Sequence, residues 1–129
     1  MAEILRINAG KRTYELAAPK IRVPSGDDLA YLAGIVDGEG SARFGRGRPF
    51  LAIYNSDPHL KRWLKAQTGI SARETDRRGR VPGWTWRIDA ARDLHRICAA
   101  LLPLLIVKQA DVQVVMDHLE QKYGERLSG

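Results

Sequence analysis

The sequence predicts an α+β domain in which helices alternate with pairs of short strands, in the order α-β-β-α-β-β-α-α. Three observations predict it. Four stretches carry apolar residues at the spacing of a helix face, and two pairs of short runs alternate apolar and polar residues with the period of a half-buried strand. The runs within each pair are joined by tight, Arg-rich turns, and Gly and Pro stand at the boundaries between stretches. Nothing recurs at a fixed period, which excludes a repeat architecture.

Residues 1–24 read as an N-terminal extension of unknown role, ahead of a single domain over 25–129. Within the extension, ILRI and RTYEL resemble two short strands around the turn NAGK, and Pro19 and Pro24 punctuate a linker. Ser25 and Asp28 fit a capping box at the start of the first helix. On that helix Leu29, Leu32, Ile35 and Val36 form an apolar side. Ala30, Ala33, Gly34, Asp37 and Gly38 form another side made almost wholly of small residues, before Gly38 and Gly40 end the helix. Strands follow at 41–44 and 49–55 around the turn GRGR. A second helix over 58–68 turns Leu60, Trp63 and Leu64 inward and closes at Gly69. The second strand pair, 70–75 and 84–88, flanks DRRGRVPG. Leu94, Ile97, Cys98 and Leu101 mark a third helix ended by Pro103. Val112, Val115, Met116, Leu119 and Tyr123 mark a fourth, over 108–123.

Strand alternation assigns two faces to one four-stranded sheet. Leu51, Ile53, Trp84, Trp86 and Ile88 point under the helices. The other face carries Ser41, Arg43, Phe50, Ala52, Tyr54, Thr85 and Arg87, with Arg73 and Thr75 beside them. The turns add Arg46 and Arg48 at one hairpin and Arg77, Arg78 and Arg80 at the other. Net charge is +6, yet residues 43–87 hold eleven Lys and Arg against three Asp and Glu, while the rest of the chain is slightly acidic. Nine of those eleven cations are Arg, whose guanidinium matches phosphates and guanine edges. A sheet face and hairpin tips so charged suit double-stranded DNA, whose major groove accepts β-ribbons. A solvated basic face without a partner is the alternative reading.

Other classes are disfavoured. No apolar run approaches twenty residues, and Arg6 and Asn8 stand where a secretory leader would be apolar, so an intracellular, non-membrane protein is expected. The single cysteine, Cys98, lies on an apolar stripe and reads as core. His59, His95 and His118 are scattered and form no zinc-spaced cluster, and His95 and His118 read as helix-surface residues.

The first helix ends in an arrangement that needs an explanation. Gly34 and Gly38 are four apart and would let a second helix approach closely, as small-xxx-small faces do. Glu39 then falls past the helix C-terminus, where unpaired carbonyls already carry negative charge. A carboxylate there is misplaced unless a cation joins it, and a hard divalent ion with oxygen ligands would serve.

Residues Leu32 to Gly40, LAGIVDGEG, resemble the LAGLIDADG signature of homing endonucleases. The context matches too: Tyr31 before it, Ser41 and a strand after it, a second strand ending in Asn55-Ser56-Asp57, and LLPLLIVKQA (101–110), where a lysine follows the proline by five residues. The resemblance spans roughly residues 29–123. It implies the family's αββαββα fold, a four-stranded antiparallel saddle sheet with helices on one face. With one motif copy, it implies a homodimer joined through Ala30, Ala33, Gly34, Asp37 and Gly38 and cutting both strands of a pseudo-palindromic DNA site. It implies Glu39 as catalytic and metal-binding acid, with the Gly38 carbonyl as a second ligand. Lys108 is implied as the basic residue near the attacking water, and Asp37 as mainly structural. Mg²⁺ is the expected metal, with Mn²⁺ substituting and Ca²⁺ binding without cleavage. Asp57 reads better as a helix cap than as part of the solvent network. The runner-up function is a non-cleaving binder on the same scaffold, an intron-RNA maturase or a DNA-binding regulator. The retained Glu39 favours the nuclease.

Overall fold

The computed structural model describes residues 5–9, 12–75 and 82–127, with side chains from Leu16 onward. Two strands, β1 (Leu5–Ala9) and β2 (Arg12–Leu16), pair antiparallel as a separate two-stranded sheet. Helix α1 (Gly26–Glu39) then leads into the hairpin β3 (Gly40–Gly45) and β4 (Arg48–Asn55). Helix α2 (Pro58–Thr68) follows, then the pair β5 (Arg73–Thr75) and β6 (Gly83–Ile88). Helix α3 (Ala91–Leu101) runs into a single 3₁₀ turn at Leu102–Leu104, and α4 (Gln109–Tyr123) ends in another at Gly124–Leu127.

The main sheet is antiparallel with strand order β3-β4-β6-β5, so the two hairpins meet along the β4–β6 seam. Helices α1 and α4 pack on β3 and β4, α2 packs on β6, and α3 lies against α1 and α4. The expected α+β fold and its element order are therefore present. Its core joins Leu51, Ile53, Trp84, Trp86 and Ile88 from the sheet to Leu32 and Val36 of α1, Leu64 of α2, and the α3 and α4 stripes. The strand alternation and the α4 stripe are placed as their periodicity predicts, since one buried face specifies register. Ile21, within the segment read as an extension, is buried in the same core. Its backbone N–H and that of Lys20 both donate to Asp93 Oδ1 (3.1 and 2.7 Å), which ties this stretch to α3.

Several local expectations are corrected. Ser25 is extended but makes no side-chain cap hydrogen bond. Gly26 follows it at φ 58, not a helical value, so the box's side-chain bond does not form, and Asp27 and Asp28 favour the helix start only as charges near its positive end. The strand expected over 70–75 is only Arg73–Thr75. His95 and His118 are half-buried rather than on the surface: His95 Nε2 lies 3.2 Å from Glu120 Oε1, and His118 meets Phe44 edge-to-face at 5.0 Å. Cys98 is buried as expected, and burial pushes its thiol up to about 12.

Candidate active site and nucleic-acid interface

The acid at the centre of the expectation stands where α1 turns into β3. That turn is tight: a Cβ on Gly40 would fall 2.7 Å from the Val36 carbonyl oxygen, so only glycine lets the strand leave the helix at this angle. Glu39, one residue earlier, is left exposed at the helix end. Its Oε2 accepts a hydrogen bond from Asn55 Nδ2 at the end of β4. Asn55 is itself fixed, because its Oδ1 accepts the backbone N–H of Ser56 and of Asp57, each at 2.8 Å. Asp57 in turn caps α2, its Oδ1 accepting from the N–H of His59 (2.7 Å) and Leu60 (3.2 Å), as the cap reading expected. Those two bonds hold the Asp57 carboxyl below its ordinary value.

On the other side of the α1 terminus sits the loop 105–108. Asp37 accepts the backbone N–H of Ile106 (2.9 Å), Val107 (3.0 Å) and Lys108 (3.0 Å). Burial works against its ionisation, but those N–H groups and the Lys108 charge outweigh it and lower its pKa. Lys108 Nζ donates to the Asp37 carbonyl oxygen at 3.3 Å. The fold thus brings Lys108 to the same end of α1 as Glu39, although 69 residues separate them in sequence.

A groove of about 1000 Å³ runs along the free side of α1 to Glu39. Asp28, Glu39, Asp57 and His59 line it with Ala30, Gly34 and Gly38, and no Lys or Arg is among its lining residues. Among the described residues no three His, Cys, Asp or Glu side chains come together as a metal-binding group. One chain alone therefore supplies a single exposed carboxylate and backbone oxygens at the α1 terminus. That donor chemistry fits a hard divalent ion when a second carboxylate or phosphate oxygens complete the shell.

The far face of the sheet is open. Cross-strand pairing aligns Ser41, Ala52 and Arg87 in one row and Tyr54, Thr85 and Arg73 in another. Arg43, Arg46, Arg48, Arg73 and Arg87 are exposed, and Arg87 stacks on Phe50 with its guanidinium 3.9 Å from the ring centre. Tyr54 reaches across β6 so closely that a Cβ on Gly83 would fall 2.7 Å from its hydroxyl. At the β3–β4 turn Arg46 (φ 54) and Gly47 (φ 77) are both left-handed, as a two-residue hairpin requires.

No protein-family model matches the sequence, and no curated protein matches it. Solved structures do. The chain is similar to the homing endonuclease I-CvuI in complex with the I-CreI target in the presence of Mg, where the DNA is not cleaved. Identity is 19% and TM-score 0.61, over 76% of this chain and 69% of that one. It is equally similar to I-CvuI in complex with its own target in the presence of Ca (TM-score 0.60, 19% identity, 76% and 69% covered). The archaeal intron-encoded homing endonuclease I-Vdi141I complexed with DNA matches at TM-score 0.57 and 18% identity, over 73% of this chain and 67% of that one. The fold is that of the LAGLIDADG homing endonucleases.

Within the LAGLIDADG fold, the sequence-derived residues separate into groups. Glu39 and Gly38 stand at the α1 terminus, where Lys108 reaches the Asp37 carbonyl, and the described arginines share the open sheet face and its hairpin tip. Arg77, Arg78 and Arg80 lie outside the described residues. Ala33 is a correction: it is 3% exposed and packs into its own core. Positions 29, 32, 33 and 36 form the i, i+3, i+4, i+7 stripe that faces the sheet, so Ala33 is unavailable to a partner. The free side instead carries Ala30, Gly34 and Gly38 next to Tyr31, which is 57% exposed and meets Trp63 edge-to-face at 4.8 Å. Asp37 was also expected at an interface, yet its carboxylate serves the chain's own 105–108 loop. Two residues that line the groove with Glu39 escaped the sequence reading. Asn55 was noticed only as part of Asn55-Ser56-Asp57, and an Asx-type turn at a strand end is the signal that could have singled it out. His59 was set aside because no second histidine accompanies it.

Proposed function

We propose that the chain is a site-specific endonuclease of double-stranded DNA, working as a homodimer on a pseudo-palindromic site and hydrolysing one phosphodiester bond in each strand. The observation that carries this reading is at α1. A Cβ on Gly34 or Gly38 would meet nothing within 4 Å, so the protomer has no use for their smallness. Glycine within a helix costs about 1 kcal/mol against alanine. Two bare positions one turn apart, ending at an exposed carboxylate, suit a second α1 brought close by a two-fold axis. That arrangement would set two Glu39 carboxylates near one another beside scissile phosphates.

Glu39 and the Gly38 carbonyl would hold the divalent ion, Mg²⁺ or Mn²⁺, with Ca²⁺ occupying the site without cleavage. When bound, the ion would polarise the phosphate and lower the pKa of nearby water. The protein supplies the rest. Asn55 holds the Glu39 carboxylate in place, Lys108 sets a positive charge at the α1 terminus, and the arginine-bearing sheet face tracks phosphates and base edges of about one helical turn per protomer. The I-CvuI structures contain Mg and Ca with DNA, which supports the choice of metals.

A randomised duplex library incubated with the protein and Mg²⁺ tests the reading. Cleaved duplexes with a two-fold consensus are expected. Glu39→Gln should bind the recovered duplex in Ca²⁺ with unchanged affinity and cut it at least about 10³-fold more slowly, the scale of losing a main electrostatic group. Undiminished cutting by Glu39→Gln would remove the acid from its role.

A further inference from the structure

Among the described residues that line the groove with Glu39, the imidazole of His59 has not yet been given a role. His59 is the second residue of α2, and its side chain is 84% exposed to solvent. Its Nδ1 lies 3.4 Å from Asp57 Oδ1, the same carboxylate oxygen that accepts the His59 backbone N–H. A carboxylate facing Nδ1 selects the tautomer with its proton on Nδ1 and leaves the Nε2 lone pair outward. A continuous chain of hydrogen bonds runs back from this pair: Asp57 N–H to Asn55 Oδ1, and Asn55 Nδ2 to Glu39 Oε2. The imidazole and the acid are thus linked through one corner between β4 and α2.

We infer that His59, oriented by Asp57, is the general base for the attacking water. This rests on the nuclease reading above. In the step, the water oxygen forms a bond to phosphorus while its proton passes to His59 Nε2. The bond from phosphorus to one bridging sugar oxygen breaks, and that oxygen keeps the electron pair and takes a proton from solvent. The other titratable groups that line the groove are acidic or neutral: Asp28, Tyr31 and Glu39 from α1, and Asp57 just before α2. On α2 itself, Lys61 is turned away to Glu74 of β5, and Arg62 follows it on the helix. Among the described residues, no Lys or Arg lines the groove.

The test uses the full chain and the duplex recovered by the wild-type protein from the randomised library. Single-turnover cleavage in Mg²⁺ is measured from pH 5.5 to 9. Wild-type rates should fall on the acid side, where protonation removes the imidazole as a base. His59→Gln, at an exposed position, should lose that limb and slow by about 10²-fold, with affinity for the duplex in Ca²⁺ unchanged. Added imidazole should restore His59→Gly in proportion to its concentration. Independently of cleavage, ¹⁵N spectra of the imidazole should show the Nδ1–H tautomer, and Asp57→Asn, which keeps the helix cap, should shift the population toward Nε2–H. A wild-type profile in His59→Gln, no rescue by imidazole, or a dominant Nε2–H form in the wild type would each overturn the assignment. If the wild type cuts nothing from the library, the nuclease reading fails and this one with it. A wild type that cuts while His59→Gln cuts equally well sinks this inference alone.

Discussion

At the scale of single residues, two carboxylates near the α1 terminus do opposite work. Glu39 is exposed and, among the described residues, accepts from Asn55, whereas Asp37 binds three backbone N–H groups of the 105–108 loop. Asp37→Ala should therefore loosen that loop and lower stability by about 1 kcal/mol, since water can reach part of what is freed. Urea midpoints would measure it. The pH dependence has a definite sign. The Asp37 pKa is lowered in the folded chain, so the folded state binds fewer protons than the unfolded one as pH falls toward the ordinary value of 3.8. Its contribution is complete above that value and disappears as pH drops through the lower, folded one. Asp57 acts in the same direction. The wild type should lose stability as pH falls from about 5 through and below the ordinary carboxylate value of 3.8, and Asp37→Ala should lose measurably less over that interval.

At the scale of elements, α1 is a helix with two employers. Its 29, 32, 33, 36 stripe holds the sheet, and its free side carries Gly34 and Gly38 with nothing beside them. Gly34→Ala should stabilise the isolated protomer by about 0.8 kcal/mol, because it removes a helix-interior glycine into open space. The same change should weaken self-association, and Gly34→Leu should abolish it while leaving the fold intact. Sedimentation set against thermal unfolding separates the two effects. Equal association by the wild type and both variants would remove the close-packed α1 pair. The β3–β4 hairpin carries a similar tension. Arg46 sits at φ 54, a conformation that costs a side-chain-bearing residue about 1 kcal/mol. Retaining a cation at that cost at an exposed tip favours a role for its charge.

At the scale of the whole molecule, Arg43, Arg46, Arg48, Arg73 and Arg87 gather on one sheet face and the β3–β4 hairpin tip, opposite the helices that close the core. Affinity for duplex DNA should then fall steeply with salt, with log K against log[salt] losing about 0.9 per phosphate neutralised. Arg46→Gly should ease the turn, raising the urea midpoint slightly, and flatten that slope by about one phosphate per protomer. A slope near zero in the wild type would leave the arginine face without a partner. Among the described residues no helix is long and apolar enough to cross a membrane.

Period and punctuation determined the fold class, the strand faces, the α4 stripe and the Asp57 cap, because each is a local pattern read against one buried layer. The LAGIVDGEG run marked Glu39 for the same reason: an acid after two spaced glycines is visible without any neighbour. Tertiary structure alone decided the rest. Ala33 turned inward because the sheet, unseen in the linear pattern, claims the stripe containing it, and the expected Ser25 cap gave way to a left-handed Gly26. Lys108 reaches Asp37, and Asn55 reaches Glu39, only when β4 and the 105–108 loop are folded around the end of α1. Contacts between residues far apart in sequence carry no local period, so a reading by pattern could name the acid but not the side chains that hold and surround it.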